Sequence, residues 1–295
     1  MATATSLLSP ELLARLEAME LISRKIFRGR MKGERRSPRK GQSVEFADFR
    51  NYVPGDDLRF VDWNTYARLD RLFLKMYLEE EDLHFFGLID ASRSMDFGQP
   101  SKFLFAKQLL AALGFVGLAR GDRVKIETLG QPLRRAAPAF RGRRSLWRML
   151  GHLESLSSGE DITLLEGVKN FCLRNSGKGI VVLVSDLLDK AGYESALRWL
   201  IARDLDVYVV HVLSPAELDP ALEGDLRLVD CEDGDEAEIT VSGPLLARYR
   251  QTLAAFLESA RQFCVRRGVA WMPANSSQAI EELVHGCLRQ GGLVR

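Results

Sequence analysis

His84-Phe85-Phe86-Gly87-Leu88-Ile89-Asp90-Ala91-Ser92-Arg93-Ser94 is a short, largely apolar run that closes on a carboxylate and then on two hydroxyls at alternate positions. An apolar run of this length bounded by polar residues reads as a buried strand. The carboxyl end of such a strand is where open α/β sheets bind ligands, and Asp90, Ser92 and Ser94 place hard oxygen donors there. Such donors can hold a hard cation.

Outward from this stretch the pattern alternates. Further strands are expected at Arg123 to Leu129, Gly179 to Ser185, Asp206 to Val212 and Val269 to Met272. Helical patterns lie between and after them, at Ser101 to Arg120, Arg143 to Leu156, Thr163 to Arg174, Gly192 to Asp204 and Pro244 to Arg267. Strands this apolar, alternating with helices, predict an α/β fold with a doubly wound, mostly parallel sheet. The stretch Ser101 to Arg120 is apolar nearly all round and reads as a buried helix that Gly121 ends. Upstream, Leu12, Leu13, Leu16, Met19 and Ile22 make Pro10 to Arg24 an amphipathic helix that docks on the main domain. The organisation expected is an N-terminal helical and irregular extension over residues 1–82 and an α/β domain over 83–295.

Composition excludes several function classes. The chain has 295 residues, 46% hydrophobic and 27% charged, enough to bury a full core, and its formal charge of +1 gives no global attraction to nucleic acid or acidic membranes. Cys172, Cys231, Cys264 and Cys287 form no Cys-x-x-Cys pair, which argues against a zinc site or disulfide framework and fits a reducing compartment. No secretory signal is visible, and the longest apolar stretch, Leu109 to Ala119, is short of the roughly 20 residues a membrane helix needs. A cytoplasmic protein without membrane insertion is expected.

Two more residues complete a candidate site if the strand order brings their loops together. Asp186 follows the strand Gly179 to Ser185, and Thr163 opens a helix. With Asp90, Ser92 and Ser94 they resemble the metal-ion-dependent adhesion site of von Willebrand factor A domains, whose fold is a Rossmann-like doubly wound sheet. The resemblance implies that Ser92, Ser94 and Thr163 bind the metal directly, while Asp90 and Asp186 act partly through water. Mg²⁺ suits such a set, with Mn²⁺ and Ca²⁺ as alternatives. One coordination position stays open for a partner's carboxylate. Each residue also has a plainer role: the aspartates can serve helix amino termini, the serines can form turns, and Thr163 with Glu166 spells a capping box. A capping hydroxyl keeps a second lone pair, so capping does not exclude ligation.

A second resemblance lies upstream, in Gly41-Gln42-Ser43-Val44-Glu45-Phe46, then Phe49-Arg50-Asn51-Tyr52-Val53-Pro54-Gly55-Asp56-Asp57-Leu58-Arg59-Phe60-Val61-Asp62-Trp63-Asn64, then Ala67-Arg68. This string looks like the signature of a bacterial von Willebrand-like family, domain of unknown function 58, usually encoded beside MoxR-type AAA+ ATPases. The resemblance implies a MoxR-type ATPase or its client as partner, in protein remodelling or maturation. Some relatives carry transmembrane helices, and this chain reads as the short soluble form. Its charged residues suggest a salt-bridge network around an aromatic anchor, with Trp63 buried and the segment folded against the core. A partner-docking surface is the other reading. The basic run Arg24 to Lys40 includes only Phe27 as an aromatic, so nucleic acid is not an expected partner. Glu79 to Asp82 reads as a solvated lead into the first core strand. Three functions are in play: a non-enzymatic binding module with a divalent-metal site, a metal-dependent phosphohydrolase with Asp90 as nucleophile, and a scaffold whose site is vestigial. The second lacks a general acid two residues after Asp90, where Ser92 stands.

Overall fold

A computed structural model describes residues 7–22, 45–78, 83–130, 136–159, 162–284, 286 and 292–294. The basic run Arg24 to Lys40, the start of the signature segment at 41–44, Glu79 to Asp82 and Cys287 lie outside the described residues. The chain forms two compact units, one of Met1–Met31 with Leu83–Arg295, the other of Lys32–Asp82.

The first helix, α1 (Pro10–Leu16), starts where Ser9 Oγ accepts the Leu12 N–H at 3.1 Å and proline occupies the first turn. It buries Leu12 and Leu16 and belongs to the larger unit. It is shorter than the helix expected over 10–24. The Arg120 guanidinium takes the carbonyls of Met19 and Ala18 at 3.2 and 3.4 Å, and Leu21 then bridges Val294 as a strand would.

The smaller unit pairs β1 (Glu45–Asn51) with β2 (Phe73–Leu78) antiparallel around α2 (Trp63–Leu69). Asp62 caps α2 by accepting the Asn64 and Thr65 N–H groups. The expected ion pairs are present: Arg50 with Asp56 at 2.7 Å, Arg59 with Asp57 at 2.6 Å, and Lys75 with Asp62 at 3.5 Å. The aromatic anchor is not. Trp63 is 57% and Phe60 49% exposed, and Trp63 packs edge-on against Tyr66, itself exposed. Arg59 pairs with Asp57 and Arg50 with Asp56 nearby in sequence, whereas Lys75 on β2 reaches back to Asp62.

In the larger unit β3 (His84–Ile89) leads to α3 (Lys102–Arg120), β4 (Arg123–Thr128) and a short β5 (Ala139–Arg141). Then follow α4 (Leu146–Glu154), α5 (Leu164–Arg174), β6 (Gly179–Ser185), α6 (Glu194–Ile201), β7 (Leu205–Leu213) and the short α7 (Pro215–Leu218). A hairpin of β8 (Gly224–Val229) and β9 (Glu236–Val241), then α8 (Gly243–Val265), β10 (Ala270–Asn275) and α9 (Ile280–Leu283) complete it. The main sheet runs β10-β7-β6-β3-β4-β5 and is parallel except at β4–β5.

Alternation along each strand feeds two cores. Phe85, Ile89, Ile180, Val182 and Val184 face α3 and α4, while Phe86, Leu88, Val181 and Leu183 face α5 and α6. Gly87 allows α3 to lie close, since a Cβ there would stand 3.0 Å from Leu110 and 3.2 Å from Ile126. Among the described residues α3 is the one helix long and apolar enough to cross a membrane, but 14 of its 19 residues are buried in this core. Truncating one of its core leucines should cost about 2–5 kcal/mol. The chain moves from β3 to β4 on one side and returns to β6 on the other, so winding reverses between β3 and β6. This switch opens a crevice at their carboxyl ends.

Candidate metal centre at the carboxyl ends of β3 and β6

Ile89 and Val184 are register partners, and the Asp90 N–H donates to Val184 O at 3.0 Å, which holds the loops after β3 and β6 side by side. Asp90 is 9% exposed. One of its oxygens accepts the Ser92 N–H at 3.0 Å and the other the Ser185 hydroxyl at 2.5 Å. No cation pairs with it among the described residues. Burial above all, then the charge of Asp186, pushes its pKa up, against the hydrogen bonds from Ser185 and Ser92.

Asp186 is also buried but fully engaged. One oxygen accepts the Leu188 N–H at 3.2 Å. The other accepts the Ser94 hydroxyl and the Lys102 ammonium, each at 2.7 Å. Lys102, the first residue of α3, is wholly buried, and its ammonium also donates to Glu217 at 2.5 Å. Glu217 in turn accepts the Ser214 N–H at 2.7 Å in the capping box of α7. These two carboxylates outweigh burial and raise the Lys102 pKa, so the ammonium stays charged.

The hydroxyls form a chain into this network. Ser92 Oγ and Ser94 Oγ lie 3.0 Å apart, and since Ser94 gives its proton to Asp186 it accepts from Ser92, which leaves Ser94 one further lone pair. Thr163 caps α5, accepting the Glu166 N–H at 3.3 Å. Asp189 ties that helix to the loop after β6 by accepting the Leu164 N–H at 2.6 Å and the Ala191 N–H at 2.7 Å. In the same loop Leu187 sits in the left-handed region at φ 58°, a conformation that costs on the order of 1–3 kcal/mol for a non-glycine residue.

Asp90, Ser92 and Thr163 line one cavity of about 310 Å³, with Arg93, Lys190, Glu232 and Asp233 among the other lining residues. Ser94 and Asp186 are not on its lining and join it through hydrogen bonds. Among the described residues no three His, Cys, Asp or Glu side chains converge as a metal-binding cluster. The donor set is instead hydroxyl-rich. Uncharged hydroxyls beside a buried carboxylate that has no ion pair among the described residues are donors that suit a small hard cation. Lys102 has no motif that would reveal it, because its partners Asp186 and Glu217 lie 84 and 115 residues along the chain; Glu217 stands in a Ser214-x-x-Glu217 capping box that the sequence does spell.

The sequence profile of the family described as "Protein of unknown function DUF58" matches residues 48–261. Two relatives are the uncharacterized protein Rv1480 of Mycobacterium tuberculosis H37Rv and the uncharacterized protein Mb1516 of Mycobacterium bovis, each 26% identical over 251 residues, which is 83% of this chain and 79% of theirs. Two solved structures are similar. One is the conserved hypothetical protein BatB from Bacteroides thetaiotaomicron, with TM-score 0.42 and 14% identity over 71% of this chain and 98% of that one. The other is an aerotolerance-related membrane protein from Bacteroides fragilis, with TM-score 0.39 and 17% identity over 70% and 99%. The family match spans most of the chain, including both loops of the site and the signature segment from Asp48 onward, and the protein is therefore a member of the DUF58 family, whose function is unknown.

Proposed function

We propose that this chain is a cytoplasmic, non-enzymatic protein-binding module of von Willebrand factor A type. Its divalent-metal site engages an acidic group on a MoxR-type AAA+ ATPase or on that enzyme's client, in protein remodelling or maturation. The observation that carries the reading is the contrast at the switch point between Asp186, neutralised by Lys102, and Asp90, buried beside paired hydroxyls without a cation among the described residues. Ser92, Ser94 and Thr163 would hold Mg²⁺ directly, with Asp90 and Asp186 fixing its waters. When bound, the ion supplies positive charge for an incoming carboxylate. The rest is done by the protein. Asp186 orients Ser94, Lys102 orients Asp186, and Asp189 anchors the amino end of α5 that carries Thr163.

The cavity is at the small end of ligand pockets, which suits an ion with one acidic side chain better than a substrate. Phosphoryl transfer is less well supported. The buried Lys102 ammonium is closed off between Asp186 and Glu217 and does not line the cavity, Lys190 on the lining is paired with Asp230 and Asp233, and Ser92 stands where a general acid would be needed.

The test is a calorimetric titration of Mg²⁺ into the full chain, followed by affinity capture with and without chelator. Wild type should bind the ion and retain a MoxR-type ATPase only without chelator. Asp90→Ala and Ser92→Ala/Ser94→Ala should lose both while keeping the fold. Absence of any divalent-cation binding by wild type at millimolar concentration would show the metal reading to be wrong.

A further inference from the structure

The β8–β9 hairpin turns at Asp230 to Asp235 and brings Glu232 and Asp233 onto the same cavity that Asp90, Ser92 and Thr163 line. Both hairpin strands are largely exposed on both faces, so the ribbon has little core of its own, and isolated two-stranded ribbons are marginal. Its tip is shaped locally. The Glu232 N–H donates to Asp230 Oδ1 at 2.8 Å, the Asp235 N–H to Asp233 Oδ1 at 3.1 Å, and the Asp230 N–H to Asp235 O at 2.8 Å. The tip is tethered to the loop after β6 by Lys190, which pairs with Asp230 at 3.0 Å and with Asp233. Lys190 is half exposed and Asp233 is also exposed, so this tether is of the weak, screened kind.

The tether uses Asp230 and Asp233. Glu232, between them, has no ion pair among the described residues and is partly buried against the cavity. The hairpin tip thus puts a carboxylate without an ion pair among the described residues on the same lining as Asp90, Ser92 and Thr163.

We infer that Glu232 is a metal-facing residue of this chain, an internal carboxylate presented to the coordination position that the hydroxyls do not supply, which a partner's acidic group must displace. This rests on the metal reading of the Asp90 site. The ribbon then acts as a tethered flap. Acidic partners compete with Glu232 and gain access as Lys190 releases the tip.

Mn²⁺, standing in for Mg²⁺, tests this through water-proton relaxation, which reports how many exchanging waters the bound ion carries. Wild type, Glu232→Gln and Lys190→Ala are each titrated with Mn²⁺ and then with acetate as the carboxylate probe, with thermal melts to confirm folding. Glu232→Gln should bind Mn²⁺ about tenfold more weakly, carry more water on the bound ion, and lose that extra water at lower acetate concentration than wild type does. Lys190→Ala should shift relaxation and acetate response in the same direction, to a smaller extent. If wild type binds no Mn²⁺, the metal reading itself fails and this inference falls with it. If wild type binds Mn²⁺ and Glu232→Gln matches it in affinity, relaxation and acetate response, the metal reading stands and the role of Glu232 is refuted.

Discussion

Asp90 and Asp186 stand at the carboxyl ends of neighbouring strands, both buried, and the fold treats them in opposite ways. Asp186 has an ammonium, a hydroxyl and an N–H on its two oxygens. Asp90 has a hydroxyl and an N–H and no cation among the described residues. Burying a carboxylate without a counter-charge is costly, and proteins keep such groups chiefly where a proton or a metal answers them. One strand end is therefore neutralised within the chain, and the other has no counter-charge among the described residues.

The largest effect should come from the paired side. Lys102→Met would leave Asp186 and Glu217 facing each other across an apolar side chain, and breaking a buried pair by removing one partner costs about 3–5 kcal/mol. Urea unfolding at neutral pH should show that loss. Equal stability of Lys102→Met and wild type at neutral pH would mean that the ammonium does not hold this end of the sheet together.

A second, somewhat smaller effect is set by His211, on β7 beside Ser185, buried with Phe256 and Trp271 edge-on to its ring. Burial pushes its pKa down to about 4, and the Asp186 backbone and carboxylate pull the other way and lose. A base whose pKa is lower folded than unfolded is protonated first in the unfolded chain. Its contribution is therefore complete above the ordinary value of 6.5 and is lost as pH falls toward 4. At about 1.4 kcal/mol per pH unit between the two values, the loss is about 3 kcal/mol. Melts of wild type and His211→Phe should diverge across that window, with the variant holding its stability better. Parallel curves would show that His211 is not buried neutral.

Much of the core was legible because the apolar runs of β3, β4, β6, β7 and β10 are separated by helical patterns, the alternation of a parallel sheet covered on both faces. The parts that were not legible lack that signal. The strands β8 and β9 do alternate, in Asp225-Leu226-Arg227-Leu228 and Glu236-Ala237-Glu238-Ile239-Thr240-Val241, but both are short, largely exposed and set in an acid-rich stretch that masks the period. A three-residue β5 is too short to show a period. Asp90, Ser92 and Ser94 stood out through their spacing alone, and Thr163 through its cap. Lys102 did not, since a lysine at a helix start reads as solvated, and its partners lie 84 and 115 residues along the chain. Trp63 was misread for the opposite reason. A large aromatic among charges suggests an anchor, but the neighbouring aspartates are satisfied by nearby arginines, Lys75 and N–H groups, so nothing draws the ring inward.

The smallest effect is also the one that separates the two aspartates most directly. Asp90 has a pKa raised in the fold, so its contribution is favourable only while it is protonated, at low pH, and is lost as pH rises through the folded value. At neutral pH without metal it is a net cost. Asp90→Asn removes that charge and keeps the shape, since the amide oxygen can still accept the Ser92 N–H and the amide nitrogen can donate to the Ser185 hydroxyl. Metal-free Asp90→Asn should therefore melt within about 1 kcal/mol of wild type, on the stabilising side. Adding Mg²⁺ should reverse the order. Wild type gains stability from binding, about 1.4 kcal/mol when the ion is at tenfold its Kd, and the variant, lacking the charge that orders the ion's waters, gains less or nothing. A purely structural Asp90 predicts that the variant is the less stable protein in both conditions and that Mg²⁺ moves neither. Thermal melts of the two proteins with chelator and with Mg²⁺ read the outcome directly, and an order that does not change on adding the ion would leave Asp90 as a strand-end hydrogen-bonding group.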